Sequence, residues 1–84
     1  MSKFEIRQID ALMEDENMWY WNTSYSIGFF ETKAKDEKSA FHYQLRKHGV
    51  KCRRGRCYTD FDGDIYELRD RRTDEPLYAC IPIY

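Results

Sequence analysis

The sequence is short of several things at once. No apolar run approaches the ~18–20 residues that cross a bilayer, and the opening Met1-Ser2-Lys3-Phe4-Glu5-Ile6-Arg7 lacks the apolar core of a signal peptide. Both absences point to a cytoplasmic protein. Two Pro and four Gly leave no linker or low-complexity stretch, and no internal repeat is visible, so residues 1–84 read as a single domain. The three cysteines, Cys52, Cys57 and Cys80, are an odd number, which suits a reducing compartment better than a closed disulfide framework. A nucleophile elbow, a P-loop, a dinucleotide fingerprint and His-Glu-x-x-His are all missing. An enzyme is therefore not expected, and no cofactor is implied.

What the chain has is aromatic side chains and balanced charge. Seven Tyr, five Phe and two Trp make up 17% of 84 residues. A chain this small hides only about 60% of the surface its unfolded form exposes, so its core depends on side chains that bury ~150–250 Å² each. Charged residues reach 35%, yet the net charge is only −1, and the mean hydropathy of −0.87 does not by itself signal disorder.

Hydrophobic spacing predicts the elements. Phe4 to Ile9 reads as a first strand, broken by the solvated acidic patch Glu14-Asp15-Glu16. From Trp19 to Phe29 the odd positions alternate with a period of two. That is long for one strand, so a bulge or bend is expected near Asn22-Thr23-Ser24 or at Gly28. A helix follows, with Asp36 at its N-cap and Gly49 in the left-handed position behind the basic last turn Arg46-Lys47-His48. Ala34, Phe41, Leu45 and His48 lie on its docking side, Ser39, Tyr43, Arg46 and Lys47 on its wet side, and His42 nearer the wet side. Val50–Cys52 and Cys57–Phe61 read as a hairpin, Asp62-Gly63 as a two-residue turn, and 65–70 and 77–83 as the last strands. Pro82 favours an edge or a strand end. The fold class is α+β: an antiparallel sheet of about five strands with one helix, order β-β-α-β-β-β. One helix covers one sheet face. With Leu77, Ala79, Ile81 and Ile83 toward the helix, Tyr78, Cys80 and Tyr84 occupy the open face, which is left half-wet, covered by a partner, or paired in a homodimer.

Charge is the most uneven feature. Residues 1–45 hold five Lys/Arg and eight Asp/Glu, residues 46–57 hold six and none, and residues 58–84 hold three and seven. The middle window gathers Arg46, Lys47, Lys51, Arg53, Arg54 and Arg56 at the helix end and hairpin tip. Such a cluster grips phosphates or an acidic protein; the plain alternative is a solvated hairpin complementing the helix dipole. A pI near 6.1 counts against duplex DNA binding. Tyr43, Tyr58, Tyr78 and Tyr84 would add flat rings to stack on bases or fill partner pockets.

The other constellations are weaker. Asp60-Phe61-Asp62-Gly63-Asp64 has a calcium-loop look, but its sixth residue is Ile65 and its twelfth Arg71, so it reads as a turn. His48, Cys52, Cys57 and Cys80 lack the spacing of structural zinc sites, and no metal is expected. They read as a helix-end His and buried or half-buried thiols, with a Cys52–Cys57 bridge open if the hairpin brings them close enough.

The runs Phe4-Glu5-Ile6-Arg7-Gln8-Ile9-Asp10-Ala11, Trp19-Tyr20-Trp21-Asn22, Phe41 through Val50, Tyr66-Glu67-Leu68-Arg69-Asp70-Arg71 and Glu75-Pro76-Leu77-Tyr78-Ala79 resemble small uncharacterised proteins of Firmicutes mobile elements. The resemblance implies a bacterial cytosol and an accessory gene whose product binds without catalysis. The expected function is a small binding protein that engages a protein or nucleic-acid partner through the basic helix end, the Arg-rich hairpin and the Tyr-bearing sheet face. The alternative is an anti-defence inhibitor, of anti-CRISPR or anti-restriction type, that binds a host nuclease complex.

Overall fold

The computed structural model describes residues 2–15, 18–51 and 55–84. Two long strands, β1 (Ser2–Asp15) and β2 (Met18–Thr32), open the chain. A 3-10 turn (Ala34–Asp36) leads into α1 (Glu37–Lys47), and β3 (Cys57–Asp62), β4 (Ile65–Asp70) and β5 (Pro76–Ile83) follow. The five strands form one antiparallel sheet, ordered β2-β1-β5-β4-β3. The expected α+β class and element order hold, and α1 carries the chain from one sheet edge to the other.

The acidic patch does not end the first strand. β1 runs to Asp15, pairing Glu14 with Trp19 and Asp15 with Met18. A continuous ladder with β2 satisfies the backbone there, and charge alone does not break a strand whose ladder is complete. The long β2 bends where its sequence suggested: the β1–β2 register skips Asn22 and Ile27 on β2, and Asp10 on β1. Val50 and Lys51 are not strand, contrary to the expected hairpin arm, and Cys52 lies outside the described residues. The β3–β4 turn is Gly63-Asp64, one residue later than the Asp62-Gly63 reading, with Asp62 paired to Ile65.

Helix α1 docks by Phe41 and Leu45, one turn apart and both buried. They close on Phe4, Ile6, Phe30, Leu68 and Cys80, with the Phe4 and Phe30 rings stacked at 5.4 Å. Asp36 occupies the N-cap, but its side chain makes no capping hydrogen bond. At the other end Gly49 has φ 78°; its N–H bonds Arg46 O (3.0 Å) and the Val50 N–H bonds Leu45 O (2.9 Å), which is a Schellman motif. Gly49→Ala forces a Cβ into the left-handed region and is expected to cost about 1 kcal/mol, read as a lower urea midpoint. Gly28 answers a different need. A Cβ there would lie 3.0 Å from His48 Nε2, so the glycine lets the helix end approach β2.

The sheet faces are the reverse of the sequence assignment. In-register pairing places Gly28, Ile6, Cys80, Tyr66 and Phe61 in one row across all five strands, and Tyr78 beside Leu68 in the next. Cys80 belongs to the core under the helix, and Tyr78 packs against it. Ala79 and Ile81 sit on the opposite face, in rows with Arg7 and Glu67 and with Glu5. Alternation misled because both sets of β5 residues are half apolar, and the small Cys80 suits the close approach of a helix. Pro82 is near a strand end in a central strand: it lies two residues past the last β4–β5 pair, opposite Phe4 of β1.

Candidate functional site

The face away from the helix is a lattice of charges rather than a tyrosine platform. Arg7 bonds Glu5 (3.1 Å). Arg69 is a hub: it pairs with Glu67 (3.3 Å), lies 3.7 Å from Asp60, and donates to the Asp74 carbonyl (2.7 Å). Glu67 is buried, and Arg69 is its ion-pair partner.

The four proposed tyrosines are not collected on one surface. Tyr43 is exposed on α1, three and four residues before Arg46 and Lys47 and therefore on their face. Tyr58 is held at the β3 edge, its hydroxyl donating to Asp74 and Arg71 lying 5.5 Å over its ring. Tyr78 is half-buried against the core. Tyr84 is almost fully exposed and donates to Asp64, which raises its hydroxyl pKa; it borders a separate concavity with Lys3, Glu37 and Pro82.

The cations fare differently. Arg46, Lys47, Lys51 and Arg56 are all exposed, and none forms an ion pair with another described residue. Arg53 and Arg54 lie outside the described residues. A groove of about 530 Å³ runs between α1 and β3, lined by Lys38, His42 and Arg46 from the helix, Thr59 and Tyr58 from β3, and Arg71. A second hollow of about 410 Å³ shares Gly55 and Arg71 with it and adds Arg56, Arg72 and Asp70. The link is a backbone bond from Arg71 N–H to Arg56 O (2.8 Å), which ties the β4–β5 turn to the residues before β3. Arg71, Arg72, Lys38 and His42 lie outside the acid-free window, and only the fold brings them beside its cations. The signal was the run Arg69-Asp70-Arg71-Arg72, diluted by the acids around it.

The local aspartates form no ion pair with Arg46, Lys47, Lys51 or Arg56 among the described residues, although Asp70 shares a hollow with Arg56 and feels its charge. Asp60 and Asp74 face Arg69, and Asp74 also takes the Tyr58 hydroxyl. Asp70 accepts the backbone N–H groups of Thr73 (3.1 Å) and Arg72 (2.8 Å), and these bonds, with the charges of Arg72 and Arg56, lower its pKa. Its contribution to the turn is thus present above the ordinary carboxylate pKa and lost as pH falls through the depressed value.

His42 is half-buried rather than wet. Its Nε2 shares a hydrogen bond of 2.7 Å with the Thr59 hydroxyl, and burial, then Lys38 and Arg46, lower its pKa. Cys80 is a free, buried thiol pushed up to about 12, chiefly by burial. We expect it to resist alkylation in the folded protein and to react only as unfolding exposes it, read by mass spectrometry across a urea series. Cys57 is disulfide-bonded, which decides between the free thiol and the bridge that the sequence leaves open for it.

Among the described residues no helix is long and apolar enough to cross a membrane, and no three His, Cys, Asp or Glu side chains are gathered as a metal ion requires. No protein-family model, curated protein or solved structure matches the chain.

Proposed function

We propose that this is a small non-catalytic binding protein that engages an anionic protein or nucleoprotein partner, in a bacterial mobile-element setting. The contact is the cationic corner where the end of α1, the residues before β3 and the β4–β5 turn meet. One observation carries the reading: Arg46, Lys47, Lys51 and Arg56 are exposed and form no ion pair with another described residue, while Asp60 and Asp74 lie against Arg69. Cations left unpaired at a surface attract an anionic partner and speed its docking.

The partner surface is narrower than the sequence suggested. Tyr43 and Tyr58 stay beside the cations, whereas Tyr78 is packed under the helix and Tyr84 borders a different concavity. Capture of partners from a bacterial lysate, with and without nuclease treatment, tests the reading. Capture that survives nuclease identifies a protein surface, and capture of a nuclease complex favours the anti-defence alternative. Capture unchanged when Arg46, Lys47 and Arg56 are reversed to Glu would overturn the assignment of this corner.

A further inference from the structure

We propose that the groove between α1 and β3 is a binding site for a phosphate monoester of nucleotide size. The proposal rests on the anionic-partner reading and specifies what the groove itself accepts.

Lys38, His42 and Arg46 are spaced four residues apart, so they form one row along α1, and all three line the groove with Arg71 on its wall. Leu45, Val50 and Leu68 supply an apolar floor. In a chain with 15 Asp and Glu, no carboxylate lines this groove among the described residues. Three permanent cations and a histidine lining one groove, with no acid among its described lining residues, suit an anion of more than one charge, and a phosphate monoester carries about −1.5 to −2 at neutral pH. The volume of about 530 Å³ lies within the ~300–1,000 Å³ of small-ligand sites. It exceeds what a bare phosphate needs, and the apolar floor gives an attached organic group something to cover. The Thr59 hydroxyl and His42 ring, already hydrogen-bonded to each other, place polar groups beside that floor.

His42 is the built-in reporter. The groups facing it are Lys38 and Arg46 on its own helix, Thr59 and Tyr58 of β3, and Arg71 across the groove. Burial, then the two helix cations, hold its pKa below the ordinary 6.5. A bound phosphate offsets those cations and stabilises the imidazolium, so His42 titrates higher.

The test is an NMR titration of His42 in the full chain with AMP, inorganic phosphate and adenosine. The expected result is an upward shift of the His42 pKa with AMP, and affinity for AMP at least about tenfold above either fragment. Lys38→Gln with Arg46→Gln, two exposed positions, removes that preference while the melting temperature holds. A 5′-phosphorylated trinucleotide that binds as AMP does, with its 5′-hydroxyl counterpart inert, assigns the phosphate to a chain end; AMP alone binding assigns it to a free nucleotide. An unmoved His42, or AMP no tighter than inorganic phosphate, overturns the proposal. Heparin retention that depends on Lys47 and Arg56, outside the groove, then shows that the anionic-partner reading survives; its absence shows that both have failed.

Discussion

Reversing Arg46, Lys47 and Arg56 to Glu is expected to weaken binding to a polyanionic partner by about 100-fold or more at moderate salt. Each cation–phosphate contact contributes roughly 0.7 to the slope of log affinity against log salt on single strands. Removing three contacts therefore lowers that slope by about 2, and the introduced charges add repulsion. All three side chains are exposed and without ion-pair partners among the described residues, so the stability loss should be confined to about 1–2 kcal/mol, from placing two acids in the last turn of α1. Fluorescence anisotropy with a labelled oligonucleotide or heparin over a salt series measures the first quantity, and urea unfolding the second. An unchanged salt slope would show that the partner touches the protein elsewhere.

Phe41→Ala should have the largest effect on stability. Phe41 is fully buried and joins α1 to the residues of β1, β2, β4 and β5 in one cluster. Truncating a core phenylalanine typically costs about 3–5 kcal/mol. At ~0.05–0.15 kcal/mol per residue, the stability of a chain this length is only about 4–12 kcal/mol. The substitution removes a large share of it. The expected result is a urea midpoint lowered by a third or more, with Phe41→Leu in between. A midpoint within the equivalent of about 1 kcal/mol of the parent would mean that α1 is not anchored by this ring.

These two expectations draw on different kinds of information. Phe41 and Leu45 were readable as the docking stripe of α1, because a period near 3.6 exposes a buried helix side directly. The glycine at the helix end was equally readable, since Gly49 follows a basic last turn and a left-handed residue there needs no Cβ. The bends of β2 followed from a strand too long to stay regular. The cationic corner was only half readable. Arg46 and Arg56 lie in the acid-free window, but Arg71 joins them through a backbone bond between segments that are fifteen residues apart.

The face of β5 was not readable at all. Tyr78, Cys80 and Pro82 alternate with Ala79 and Ile81, and neither set is polar enough to declare itself solvent-facing. A one-residue change of register exchanges the two faces, so pairing with Ile6 and Tyr66 decided which set lies beneath the helix.

The linear order of residues by itself determined the elements: periodicity, caps and turn residues are local properties and act within a few positions. Which charges meet was decided only by the tertiary structure. Strand register and the packing of turns bring distant residues together, so Arg71 reaches the groove and Asp60 and Asp74 are drawn to Arg69 on the opposite face. Electrostatic pairing depends on distance in space, and the sequence orders residues only along the chain.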